Sequence, residues 1–455
     1  MKKLLNALAN KVYVTPLLFG VFYLVLAVVA HEIDTMITLK ENSAFAFQKD
    51  LLQPLLLMTI GAIITLVTIT FSSIMVVLTT YSGQFSPRTL NDFLVRKVPL
   101  RVLGYFTGLL TYSAVSLLFL QDPNHTHYML LTLISVISLL IGFVLFAYYI
   151  HYVSKSIQIN LYIDPLVKDA TEAIKRKQKL IEDDPVLTLE PNEIMKDYKE
   201  KQCYDIKAYK SGYITEYNKE IMTEFCKEHD TVIIIDHAID THIYKGDILL
   251  SLTKDKAHLV EEDALKEWVT ISSEPSPYSA YLSSMLKLTD IAVRALSPGV
   301  NDPRTAIHCI DQLGHTINVL SSSHQNLVVK EDQKLYLIMQ GINFDQLLYD
   351  VFYQIIHYGK EDYKVVKAIL TSFIRVAQDN TPMTQAIIWD YTEYLFKDIP
   401  YTTLHAFDHK DLFNSVYQLA IICNKTDAYN ALFKSNDQKK EARVDKQSIK
   451  QNNSS

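Results

Sequence analysis

The run PLLLMTIGAIITLVTITFSSIMVVLTT, Pro54 to Thr80, contains no charged residue and decides the fold. A helix needs about 20 predominantly apolar residues to cross a bilayer. Working outward, Val12 to Ala30, Val98 to Leu120 and Tyr128 to Tyr152 meet the same length and composition. The remainder of the 455 residues is polar enough to fold in water. A mean hydropathy of +0.08 therefore averages two unlike parts, an N-terminal four-helix membrane domain over residues 1–153 and a large polar part after it. The N-terminal segment is read as a retained anchor, because no small-residue cleavage site follows its apolar run and three further spans do.

Basic residues set the expected orientation. Lys2, Lys3 and Lys11 precede the first span, Arg88, Arg96 and Lys97 separate the second from the third, and Lys155 and Lys168 follow the fourth. The positive-inside rule then puts both termini and the polar part in the cytoplasm of a cell-membrane, multi-pass protein whose first partner is the lipid bilayer. The four cysteines, Cys203, Cys226, Cys309 and Cys423, form no CxxC pair and read as reduced structural thiols. A net charge of -6 with no basic tract in the polar part provides no footprint for nucleic acid.

Within the second span, Gly61, Thr65, Thr68, Ser72 and Thr79 follow helical spacing and share one stripe; Gly104, Gly108 and Thr111 do so in the third. Two readings apply. Small residues let helix backbones approach and hydroxyls bond across the interface, or Thr65, Thr68, Ser72, Thr79 and Thr111 line a path for a small ion or solute, substituting for its water. No acid or base falls in the middle of the spans so delimited, which argues against a proton-coupled transporter. Arg101 reads as an interfacial anchor, and His125, His127 and Asp122 as a solvated loop. Tyr148, Tyr149 and Tyr152 form an aromatic belt before Lys155.

The polar part divides by pattern. Residues 154–200 read as a continuing charged helix and a linker, with Glu182 to Pro191 holding two prolines and four acids. Residues 201–275 read as a small β-rich, barrel-like module, marked by Ser211-Gly212-Tyr213-Ile214, the run Thr231 to Ile235, and a turn and strand at Tyr244 to Leu250. The arrangement resembles a biotinyl or lipoyl carrier barrel, yet no lysine with a Met or Ala neighbour sits in the expected exposed hairpin, so no cofactor is expected. Asp236, His237, Asp240 and His242 read as a polar loop, since their spacing matches no defined ligand pattern. Residues 276–434 read as a helical bundle, with amphipathic runs at Asp332 to Tyr358, Asp362 to Gln378, Met383 to Phe396 and Asp411 to Cys423. Residues 435–455 are a Lys, Gln, Asn and Ser tail expected to be disordered.

At Ser297-Pro298-Gly299-Val300-Asn301-Asp302-Pro303-Arg304 a helix stops and another starts, with Asp302 as N-cap and Pro303 in the first turn. Ser297, Asn301, Asp302 and Arg304 are candidate ligand contacts at this corner, Arg304 for an anion at the helix N-terminus. His308, Asp311 and His315 follow at spacings of three and four and are candidate metal ligands; the alternative is an ordinary polar helix face.

The run Leu288 to Ala306, LTDIAVRALSPGVNDPRTA, resembles the signature of a bacterial membrane-protein family called domain of unknown function 2254 (DUF2254). Gln84 to Arg88 (QFSPR), Phe146 to Gln158, the SGYI turn and the KGD turn follow the family's order, over about residues 1–400. The resemblance implies four N-terminal membrane helices and a cytoplasmic C-terminal part, and brings no activity, substrate or catalytic residue. The chain departs from the pattern at Arg304, where the family tends to an aromatic, and over Ser272 to Ala280, where Arg-Thr and Gln-Asp pairs are usual. There is no Walker A loop, nucleophile elbow, GxGxxG or HExxH, so an enzyme is not expected. The sequence points to an oligomeric channel-like or solute-conducting protein with a cytoplasmic regulatory domain, a homo-oligomer because four spans rarely enclose a pore. The alternative is a membrane-anchored sensor or scaffold binding a protein or small ligand at the Ser297 to Arg304 corner.

Overall fold

The computed structural model describes residues 13–36, 47, 49–84, 97–121, 128–156, 160–190, 193–200, 202–274, 280–321, 325–400 and 405–432. The chain forms two compact units, Met1–Tyr162 and Ile163–Ser455. The first holds four helices long and apolar enough to cross a membrane: α1 (Val14–Met36), α2 (Lys49–Gln84), α3 (Lys97–Phe119) and α4 (Met129–Ser156). Each extends the expected span at one end or both, α2 at both ends and α1 by six residues past Ala30. The elbow at Gln84 to Arg88 (but for Gln84), the loop carrying Asp122, His125 and His127, and the join between α4 and the next helix lie outside the described residues.

Close approach of α1 and α3 is written in two glycines. A Cβ on Gly104 would lie 2.8 Å from the Phe19 ring, and one on Gly108 would lie 2.5 Å from the Tyr23 ring and 3.0 Å from the Phe19 carbonyl oxygen. The small-xxx-small pair therefore seats α3 directly on α1, which is the packing use of such a motif. Tyr23 then meets Tyr105 and Tyr112 edge to face, at ring-centroid distances of 5.7 and 6.3 Å.

In the second unit, α5 (Asn160–Glu182) leads to β1 (Leu187–Glu190) and α6 (Glu193–Lys199). The stretch expected to be linker thus contributes a strand, because Leu187-Thr188-Leu189 runs buried, exposed, half-buried despite its flanking acids and prolines. There follow β2 (Tyr204–Lys207), β3 (Gly212–Tyr217), α7 (Lys219–His229), β4 (Ile233–Ile235), β5 (His242–Ile243), β6 (Ile248–Leu252), α8 (Glu262–Trp268) and β7 (Val269–Ser272). Helices α9 (Ala280–Leu296) and α10 (Pro303–Leu320) precede a hairpin of β8 (Asn326–Glu331) and β9 (Lys334–Met339). The helices α11 (Phe344–Gly359), α12 (Tyr363–Gln378), α13 (Pro382–Asp398) and α14 (Ala406–Ile422) complete the described chain.

The strands form two open sheets, one of order β1-β8-β9-β4-β6-β2 and one of order β5-β3-β7, so the expected barrel is not what forms among the described residues. The reason is the β8–β9 hairpin, which begins before Asp332 to Tyr358, read from sequence as helix, and ends within it. It enters the larger sheet by pairing β9 parallel to β4 and β8 antiparallel to β1. The central strand β4 is buried on both faces: Ile233 and Ile235 join Met222, Leu250 and Leu337 on one side, Ile234 joins Val328 and Ile338 on the other. The SGYI turn is explained by Gly212, at φ +150°, where a Cβ would sit 2.5 Å from the Ser272 carbonyl oxygen. In the bundle, Gly314 of α10 meets Ser372 of α12, whose hydroxyl donates to the Ile310 carbonyl.

Two outcomes test this architecture. Gly108→Ala forces α1 from α3 because one contact is backbone, and should lower unfolding stability in detergent by about 1–3 kcal/mol, whereas Gly61→Ala, with no atom within 4 Å, should leave it unchanged. Asp230 caps α7 at φ 50° and pairs with Lys254 and Lys334, which hold its carboxyl down to about 2 from an ordinary 3.8. A depressed folded value means stability present above about pH 4 and lost as pH falls toward 2. Asp230→Asn, tolerated in the left-handed region, should lower the melting temperature slightly between pH 5 and 7, where the pairs contribute, and flatten its fall between about pH 4 and 2.

Candidate functional site

The polar residues of the membrane unit fall into two sets, one turned outward and one inward. In α2, Leu52, Leu56, Thr59, Ile63, Leu66, Thr70 and Val77 are buried at helical intervals. Gly61, Thr65, Thr68, Ser72 and Thr79 lie on the opposite side and are exposed within one copy. Thr65 donates to the Gly61 carbonyl at 3.0 Å, Thr68 to Ile64 at 2.8 Å and Thr79 to Val76 at 2.8 Å. A threonine hydroxyl that has donated its proton backward along its own helix keeps its lone pairs outward, so Thr65, Thr68 and Thr79 present acceptors on this face. Thr68, Ser72 and Ser73, with Ile69, Val76 and Val153 of α4, line an open groove of about 300 Å³. Thr111 is elsewhere: it is half-buried, donates to Thr107, and its Oγ1 lies 3.7 Å from a Cβ built on Gly20, so it belongs to the α1–α3 contact and not to the stripe.

The inward set is organised by a residue that sequence reasoning missed. Asp34, in the last turn of α1 and 6% exposed, accepts from the backbone N–H of Leu130 at 2.8 Å and of Leu131 at 3.1 Å. It thereby caps the start of α4, whose first N–H groups have no partner within their own helix. The Leu131 carbonyl in turn accepts from Tyr112 and Ser135. Tyr105 donates to the Ser138 carbonyl and Tyr149 to that of Thr70. His31 stacks on Phe119 with ring centroids 4.2 Å apart. The signal was present in HEIDTM at His31 to Met36, but placing the end of the span at Ala30 put Asp34 in a loop. With Phe106, Leu109, Tyr112 and Leu131 fully buried, the interior of one copy is filled by side chains.

In the second unit the signature corner satisfies itself. Ser297 donates to the Arg294 carbonyl at 2.7 Å, and Asp302 accepts from the Thr305 N–H at 3.3 Å and from its hydroxyl at 2.6 Å. Asn301 takes the left-handed conformation at φ 48° that turns the chain. Arg304 is exposed at the start of α10. The corner is thus a well-capped helical turn that uses Ser297, Asn301 and Asp302 in its making and leaves Arg304 outside it. His308, Asp311 and His315 share a partly exposed face of α10, but no group of three His, Cys, Asp or Glu side chains among the described residues could hold a metal ion. Asp236 pairs with Lys199 at 2.8 Å, and His237 Nε2 lies 2.8 Å from the Ile248 carbonyl oxygen, as a polar loop would have them. Cys226, Cys309 and Cys423 are buried, and burial pushes their thiols up, that of Cys423 to about 11.

The family of predicted membrane proteins DUF2254 matches residues 9–374. The chain belongs to this family. Like DUF2254 proteins as that description has them, it is a membrane protein, and its four apolar helices fall at the N-terminal end of the matched region. An uncharacterised protein of Mycobacterium tuberculosis (strain CDC 1551 / Oshkosh) is 25% identical over 343 residues, 71% of this chain. The chain spans 63% of the length of that relative. No solved structure matches it.

Asp34→Ala removes two acceptors from buried N–H groups and should cost about 1–3 kcal/mol of stability in detergent, with Asp34→Asn, which keeps one acceptor, losing less. Unfolding in sodium dodecyl sulfate followed by circular dichroism measures both.

Proposed function

We propose that the protein is an oligomeric channel-like membrane protein that conducts a small ion or solute, with the polar C-terminal part as its regulatory domain. The observation that carries this reading is the outward position of the α2 stripe. A row of oxygen acceptors that faces away from its own helical domain gains nothing from lipid. Placed against the same row in further copies, it surrounds a polar path. One copy cannot supply that path, since its interior is filled, so the reading requires a homo-oligomer. Thr65, Thr68, Ser72 and Thr79 are the proposed lining; Thr111 is left to helix packing. The basic residues flanking the spans support a cell-membrane location with both termini cytoplasmic, and the sequence motifs support a non-enzymatic role.

The test is the oligomeric mass of the purified protein followed by ion flux after reconstitution into liposomes. A multimer should conduct, Thr68→Leu and Ser72→Leu should reduce flux to the protein-free background, and Thr68→Ser should retain it. A multimer that does not conduct would favour the membrane-anchored sensor or scaffold instead.

A further inference from the structure

Helix α2 is apolar on every side: Leu56, Ile63 and Leu66 are buried, while Ile69, Phe71 and Val76 are exposed. Lipid tails are as apolar as leucine, so hydrocarbon burial sets the rotation of such a helix about its axis only weakly, and directed bonds set it instead. The hydroxyls of Thr59, Thr65, Thr68, Ser73, Thr79 and Thr80 bond carbonyls of α2 itself and give it no fixed direction.

A bond of another kind comes from α4. Tyr149, fully buried, donates its phenol proton to the Thr70 carbonyl oxygen at 3.0 Å, whereas Tyr148 beside it is 53% exposed. A carbonyl has two lone pairs, so this bond leaves the helical one in place. Thr70 is two residues from Thr68 and from Ser72, which puts it on the opposite side of α2 from both. Val153, one turn beyond Tyr149 on α4, lines the groove with Thr68 and Ser72, so the tether and the groove share the α2–α4 contact. The Thr70 hydroxyl, unlike those of Thr65 and Thr68, is buried with no hydrogen-bond partner among the described residues. A buried hydroxyl left so is costly. Turning α2 until Thr70 faces outward would relieve that cost and carry Thr68 and Ser72 inward; the phenol bond opposes the turn.

We propose that Tyr149 is a positioning residue, which holds α2 in the rotation that turns Thr68 and Ser72 to the path, and that loss of its bond to Thr70 lets α2 turn and close the path. The closing rests on the conducting role proposed for the stripe, whereas the rotation is readable without conduction. A single bond between membrane helices is modest, so Tyr149 shifts a population of rotations and does not lock one.

The test uses the full-length protein carrying Cys203→Ser, since the other three native cysteines are buried, and one new thiol from Thr68→Cys or Thr70→Cys. The rate of reaction with N-ethylmaleimide in mild detergent reads which position faces outward, and the thiol at 68 should react the faster. Tyr149→Phe keeps the ring and should lower the ratio of the two rates by about threefold, the worth of one interhelical hydrogen bond, with ion flux in liposomes falling alongside. Tyr148→Phe should change neither. Adding Thr70→Val to Tyr149→Phe removes the hydroxyl that favours the turn and should restore both the rate at 68 and the flux, a rescue that a merely structural tyrosine would not show. A rate ratio unmoved by Tyr149→Phe in protein of unchanged helix content would overturn the proposal whatever the flux does, and so would a lowered ratio with flux intact. If the unsubstituted protein does not conduct, the conducting reading fails, and the rate ratio alone decides whether Tyr149 sets the rotation.

Discussion

In hydrocarbon a backbone N–H or carbonyl has no water to turn to, and each one left without a partner costs several kcal/mol. The membrane unit is arranged around that requirement. Its spans are helices, and where α4 begins, Asp34 reaches from α1 to take the first free N–H groups. One carboxylate therefore fixes α4 against α1 and, through the Leu131 carbonyl, positions Tyr112 of α3. The tyrosines do the same at greater depth, with the hydroxyls of Tyr105 and Tyr149 ending on carbonyls of neighbouring helices. Glycine supplies the clearance: without Gly104 and Gly108, α3 could not come close enough to α1 for Tyr112 to reach the network.

The same requirement explains why the hydroxyls of α2 can face outward. A threonine that bonds its own helix carries no unsatisfied donor into its surroundings, so the stripe is compatible with lipid during assembly and with a polar path afterwards. Inward hydroxyls obey a different logic. Thr59 is buried and bonded within its helix, whereas Thr70, Ser113 and Ser116 are buried with hydroxyls that have no partner among the described residues.

Much of this was legible in sequence, because the spans are long and uniformly apolar and the helical runs of the second unit repeat at 3.6 residues. The corner at Ser297 to Arg304 reads directly from Pro, Gly, Asn and Asp, each with a fixed conformational role. What escaped has a common cause, which is dependence on contacts distant in the chain. The β8–β9 hairpin has short strands whose place in the sheet is given by β4 and β1, far upstream, and local pattern favoured extending the following helix over it. The barrel expectation failed for the same reason, since a closed module over 201–275 leaves no room for strands from 326–339. Asp34 was passed over because its value comes from Leu130 and Leu131.

The outward polar faces of the two units share a chemistry although they differ in setting. The threonines of the α2 stripe offer hydroxyl lone pairs, and α2 contains no arginine and no lysine beyond its first residue. The ridge on α11 and α13, where Tyr349 stacks on Tyr353 beside Tyr394, offers exposed ring faces and carboxylates, again with few basic groups. A cation needs oxygen lone pairs or π electrons, and the α2 threonines supply the first and the ridge the second. The selectivity expected of the proposed path therefore has a sign even though its ion is not specified. Conduction through a ring of α2 helices should favour cations by coordination, because the threonine hydroxyls turned outward have already given their protons away.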